Sequence, residues 1–91
     1  MQTIKNAKQL ERHFKGVANH HRINILRLIG KQEGVPLDTI AESLQANFKT
    51  ISEHTKKLVQ AGLVNKNYKG RNVVHTLSPY GKIFLAFMKT F

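Results

Sequence analysis

The stretch "NFKTISEHTKKLVQAGLV", Asn47 to Val64, decides the fold. At about 100° per residue, Phe48, Ile51, Thr55, Leu58, Val59 and Gly62 fall within one arc of a helix, and Lys49, Glu53, Lys56 and Gln60 fall opposite. One side packs and the other is presented. Asn47 supplies an N-cap and Gly62 a terminator, so both ends of the helix are written locally.

Just before it, Asp38 is a good N-cap for a short helix "TIAESLQ", with Leu37 available to brace its start. Two helices joined by the turn "LQANF", the second longer and basic on its outer face, make a helix-turn-helix whose second helix suits the DNA major groove. In that geometry Phe48, Lys49, Thr50, Ser52 and Glu53 face base edges, where Lys donates to guanine and Glu accepts from cytosine. Lys56 and Lys57, further along, suit phosphates. A surface helix with several lysines is equally often a solvated face, so the helix alone leaves both readings open.

After the helix the period changes. "LVNKNY" and "VVHTL" are short and β-branched, separated by "KGRN", and predict a two-stranded hairpin. Lys66, Lys69 and Arg71 then surround a tight turn directly after the presented helix, where a projecting wing reaches a neighbouring groove or backbone.

Working outward, Ile4, Ala7, Leu10, Phe14 and Val17 make an amphipathic first helix whose far side holds Lys5, Lys8, Arg12 and Lys15. Asn19 caps a second helix, "HHRINILRLIGKQ", which is apolar on most sides and therefore central; "EGVPLD" ends it. Ser78 and Pro79 open a last helix, "YGKIFLAFMKTF". The predicted fold is mainly α with a small β-hairpin, in the order α-α-α-α-β-β-α, with a short extra strand possible near Val35. Residues 1–91 read as a single domain.

A domain of this length buries only about 60–65% of the surface its unfolded chain exposes, so a partner subunit would enlarge the core. Fifteen Lys and Arg against five acids give a formal charge of +10, which makes double-stranded DNA the first partner to consider. All five acids lie in the first 53 residues; from His54 onward there are seven Lys and Arg and no carboxylate. The chain has no cysteine, which removes disulfides and thiolate metal sites and fits a reducing compartment. No apolar run spans a membrane, and "MQTIKNAKQLERHF" is no secretory signal, so a cytoplasmic, nucleoid-associated location is expected.

Tyr80, Ile83, Phe84, Phe87, Met88 and Phe91 occupy one arc of the last helix, with Lys82 and Lys89 opposite. Such an arc invites pairing between copies, the alternative being packing over the monomer's own core. His20 and His21 are adjacent and diverge by about 100°, poor geometry for one ion, and His13, His54 and His75 lie on separate elements. No metal site, cofactor or catalytic constellation is expected, because glycine-rich phosphate loops, nucleophile motifs and metal-ligand spacings are all missing. Charging of the five histidines between about pH 5 and 7 would strengthen attraction to DNA.

The segments "VANHHRINILRLI", "LDTIAESLQANFKTISEHTKKLVQAGLV" and "NKNYKGRNVVHTLSPYG" resemble the winged helix-turn-helix regulators of the ArsR family, over roughly residues 14 to 81. The resemblance implies a recognition helix at about 47–61, a wing at about 65–73, and Arg22 and His54 among the backbone contacts. It also implies a homodimeric repressor on an imperfect inverted repeat, joined through the first and last helices, which places Leu10 and Phe14 with Phe84, Phe87, Met88 and Phe91 at the interface. Two departures matter. "LDTIAESL" lacks the paired cysteines by which many members sense metals, and the last helix lacks the His and carboxylate ligands of others, so no metal effector is expected. Thr55 and Lys57 stand where the family pattern has apolar residues. Two further readings compete with the regulator: an architectural protein binding DNA through charge, and a winged-helix interaction module.

Overall fold

A computed structural model describes residues 4–91. The elements are α1 (Ala7–Val17), α2 (His20–Lys31), β1 (Val35–Pro36), α3 (Leu37–Ser43), α4 (Phe48–Gln60), β2 (Val64–Lys69), β3 (Asn72–Leu77) and α5 (Pro79–Met88). The predicted order stands. α2 is the central helix, with Ile25, Leu26 and Ile29 fully buried against Ile40 of α3, Ile51 and Leu58 of α4, and Leu63. Each such side chain contributes about 1.5–3 kcal/mol of burial, which is why a helix apolar on most sides ends up in the middle.

Local chemistry sets most helix ends. The Asn19 side chain accepts from the His21 and Arg22 amides, and the Asn47 side chain from those of Lys49 and Thr50. Gly62, at φ +76, follows the last turn of α4. Ser78 accepts from the Gly81 amide while its hydroxyl donates to the Gly62 carbonyl at 2.6 Å, so one side chain caps α5 and ties it to the exit of α4.

The sheet has three antiparallel strands in the order β1-β3-β2, so the extra strand near Val35 is present and the predicted hairpin gains a neighbour. Val35 pairs with His75 and Pro36 with Val74; Val64 pairs with Leu77 and Lys69 with Asn72. The two-residue turn has positive φ at Gly70 alone, as a type II′ hairpin turn requires.

Three expectations need correction. Ile4 lies outside the first helix and is 89% exposed, because Asn6 caps α1 and exchanges hydrogen bonds with Gln9 in a capping box. Asp38 is not the N-cap of α3; Pro36 holds that place without a side-chain bond, because pairing with Val74 carries the chain straight from β1 into the helix, and Asp38 accepts from the Thr39 amide in the first turn. On α1, His13, Gly16 and Val17, the last of these from the predicted stripe, are buried against the core region, while Leu10 and Phe14 stand exposed. Gly16 makes this possible, since a Cβ there would strike the Cβ of Ala61 and force the helices apart. Finally, α5 ends at Met88, where the Thr90 hydroxyl donates to the Phe87 carbonyl, so Phe91 lies beyond the helix.

Candidate nucleic-acid interface

α4 is anchored at its start, middle and end. Asn47 fixes the first turn; before it, Gln45 takes φ +50 and lets the Ala46 amide reach the Ala41 carbonyl, closing the tight turn from α3. In the middle, Arg22 donates from Nε to Nδ1 of His54 at 3.1 Å. At the end, Arg12 donates to the Gln60 carbonyl at 2.7 Å and His13 donates from Nδ1 to the Ala61 carbonyl at 2.7 Å. The last carbonyls of a helix have no partners within it and carry partial negative charge, so a guanidinium and an imidazole there are well matched.

With the helix so held, Phe48, Lys49, Glu53, Lys56 and Lys57 are exposed, Thr50, Ser52 and His54 are half-buried, and Ile51, Thr55 and Leu58 are buried. Phe48 is the exception to the predicted packing arc: it is 53% exposed and joins the presented face. The wing follows at once. Lys66, Lys69 and Arg71 are all exposed on it, and Asn67 donates to Thr76 across the strands at 3.1 Å. Tyr68, 70% exposed beside Lys66, is a feature that sequence reasoning missed. An aromatic residue among the polar residues of a basic hairpin was the available signal.

Charge is left unneutralised over this surface. Among the described residues the one ion pair is Lys15 with Glu11 at 3.6 Å, so the cations of α4 and the wing have no carboxylate partner among them. The Arg22 guanidinium is engaged with the Lys15 and Gly16 carbonyls as well as with His54. His54 continues a run of rings, 5.2 Å from His21, which in turn lies 4.2 Å from His20, closer than the expected divergence of neighbours would give. Burial first, then the Arg22 and His21 charges, hold the His54 imidazole below its usual pKa. Among the described residues no group of three or more His, Cys, Asp or Glu side chains is placed to hold a metal ion, and no helix is long and apolar enough to cross a membrane.

A second surface is apolar. Leu10, Phe14, Tyr80, Ile83, Phe87 and Phe91 are exposed, while Phe84 and Met88 lie half-buried against the core. Phe14 meets Phe84 edge-on at 5.2 Å, which brings α1 and α5 side by side. The arc of the last helix is therefore divided: part of it packs within the monomer and part faces outward.

A family model covering residues 19–69, from the Asn19 cap to the wing, matches the chain. The chain belongs to the MarR family. The solved structures similar to this MarR-family chain are winged helices. HlyU from Vibrio cholerae is 24% identical, with a TM-score of 0.82 over 94% of each chain. A homodimeric winged helix-turn-helix DNA-binding domain from Mycobacterium bovis, described as a possible ArsR-family transcriptional regulator, is 24% identical over 99% of this chain and 89% of that one, with a TM-score of 0.80. The transcriptional repressor PagR of Bacillus anthracis is 17% identical over 89% of this chain and 93% of that one, with a TM-score of 0.82. No curated protein matches the chain significantly in sequence. The matching family model is thus MarR, where the sequence resembled ArsR; the shared class, a winged-helix transcription regulator, is the one expected.

Proposed function

We propose that this MarR-family chain is a sequence-specific, homodimeric repressor with an ArsR-like arrangement, binding an imperfect inverted repeat in double-stranded DNA. The observation that carries the reading is a recognition helix anchored at three points, with its cations and those of the adjoining wing left unpaired. Phe48, Lys49, Thr50, Ser52 and Glu53 read bases in the major groove. Lys56, Lys57, Lys66, Lys69 and Arg71 hold the backbone, and Arg22 and His54 contribute to it as a bonded pair. The homodimeric state of the M. bovis domain supports the dimer, as does the outward apolar surface of α1 and α5; Leu10, Phe14, Phe84, Phe87, Met88 and Phe91 lie in that interface. The protein works in the cytoplasm, at the nucleoid, without enzymatic activity, cofactor or metal effector.

A second reading, an architectural DNA-binding protein, is favoured by the exposed Lys8, Arg12 and Lys15 of α1 and the charge of +10. Selection from a genomic fragment library at about 150 mM salt, where phosphate attraction alone is weakened, separates the two. Enrichment of one inverted repeat supports the repressor; binding without an enriched sequence supports the architectural protein. Absence of binding would leave the fold as a protein-interaction module.

A further inference from the structure

Of the fifteen Lys and Arg, four lie outside the stretch from Lys5 to Arg22, α4 and the wing: Arg27, Lys31, Lys82 and Lys89. Three of these four, Arg27 and Lys31 of α2 and Lys89 just past α5, line one cleft of about 320 Å³. The half-buried Gly30, Leu85 and Met88 form its floor, and the exposed cations form its rim. A Cβ at Gly30 would strike the Leu85 side chain, so the glycine lets α5 lie against α2 here.

The cleft is separate from both surfaces described above. Lys31 lies about 13 Å along the axis of α2 from Arg22, which bonds to His54 of α4. None of the six lining residues belongs to the proposed DNA-contacting set. Lys89 stands about 160° round the helix from Phe87, so the cleft opens on the flank of α5 away from its outward apolar surface. Met88 alone belongs to both the cleft and the proposed dimer set.

Cations near a helix C-terminus offset the partial negative charge of its free carbonyls, which accounts for Lys31 and Lys89 taken singly. It accounts neither for Arg27, a turn earlier, nor for the meeting of all three round one apolar floor. Among the described residues no carboxylate lines the cleft and none pairs with these cations. Glu33, the acid nearest to Lys31 in sequence, accepts from the Leu77 amide at 3.1 Å.

We propose that this cleft docks an acidic peptide segment of a partner protein, with one apolar side chain seated on Leu85 and Met88 and its flanking carboxylates on Arg27, Lys31 and Lys89. Arg27 takes a carboxylate through two parallel N–H donors, and the two ammonium groups add charge-assisted bonds. A nucleic-acid backbone would match the cations but leave the apolar floor empty, and an uncharged segment would leave the cations unmet. Binding of the segment does not depend on the regulator reading. Delivery of the partner to DNA does, and it requires both surfaces to be filled at once.

The test titrates the full chain, followed by amide NMR, with the capped peptide Glu-Asp-Leu-Asp-Glu and with Glu-Asp-Ser-Asp-Glu, of the same charge, at matched ionic strength. Saturable shifts at Gly30, Lys31, Leu85 and Lys89 are expected with the leucine peptide. The serine peptide is expected to bind about tenfold more weakly, because it has no apolar side chain to bury. Arg27→Ala with Lys31→Ala changes two exposed residues and is expected to hold Tm and keep duplex affinity within about threefold, while weakening the leucine peptide by about tenfold.

The inference is overturned by the absence of saturable shifts at the cleft, by equal affinity for the two peptides, or by unchanged affinity in the double variant. It is also overturned by shifts that centre on Lys49, Lys66 and Lys69 and vanish when duplex is added, and by a duplex that shifts the cleft residues as strongly as the leucine peptide does. A separate DNA titration keeps the two readings apart. A chain that binds the peptide at the cleft but no DNA loses the regulator reading alone, and one that binds DNA but not the peptide loses only the docking site.

Discussion

Arg22 donates from its guanidinium Nε to Nδ1 of His54 at 3.1 Å, and the same guanidinium donates to the carbonyls of Lys15 and Gly16. One side chain therefore binds the end of α1 and the start of α2 to the middle of α4. Arg22→Lys keeps the charge but loses the planar fork, and is expected to cost about 1–2 kcal/mol in urea unfolding. An unchanged unfolding midpoint would show that the guanidinium bears no structural load.

Acid should weaken the fold. The Nδ1 that accepts from Arg22 carries no proton, and burial, Arg22 and His21 all depress the His54 pKa; burial depresses that of His75 against the opposing bond to Val35. Groups so depressed take up protons first in the unfolded chain. Their stabilising contribution is thus complete above about pH 6.5 and is lost as pH falls through the folded values. Melting temperatures between about pH 7.5 and 5 should decline, and His75→Gln should flatten the decline. A variant with the slope of the original chain would place the proton linkage elsewhere.

The contact of Gly16 with Ala61 sets how closely α1 approaches α4. Gly16→Ala is expected to lose about 1–3 kcal/mol through overpacking. Adding Ala61→Gly should recover part of that loss, because the two methyl groups compete for one space. Simple additivity in the double variant would refute the close approach.

Phe87 is half exposed on the outward side of α5, so an acidic residue there should be tolerated by the monomer and not by a dimer. Phe87→Asp should sediment as a monomer at micromolar concentration with its helical circular dichroism retained. If the original chain is itself monomeric under those conditions, the proposed interface fails.

Lys49→Ala and Glu53→Ala should change which DNA sites are preferred. Lys69→Ala and Arg71→Ala should weaken binding to most sequences and reduce the salt slope by about 1 each. Equal losses on selected and random duplexes for all four variants would contradict this division between base reading and backbone contact.

The sequence announced those parts of the fold whose chemistry is local. Asn19, Asn47 and Ser78 cap helices within three residues of themselves, and Gly62 and Gly70 take the backbone angles that end a helix and turn a hairpin. Long-range contacts were less legible. The packed face of α1 turns on Gly16, whose lack of a side chain gives no hydrophobic period to read. The start of α3 is set by pairing of Pro36 with Val74, 38 positions away, so that Asp38 read as a plausible cap although a short strand near Val35 was itself legible. In the candidate interface the presented cations could be read from the helical wheel, but the bond of Arg22 to His54 required the fold.

In the sheet order β1-β3-β2, the outer rim of β2 has no partner strand among the described residues, and its residues from Asn65 to Lys69 are exposed. Such a rim is a template on which a second copy can polymerise, unless charge keeps the copies apart. Lys66 and Lys69 provide that repulsion, so they guard solubility as well as serving the proposed backbone contact. Neutralising them together would then produce turbidity in concentrated solution, and low salt, which lengthens the reach of the repulsion of the remaining cations, would delay it.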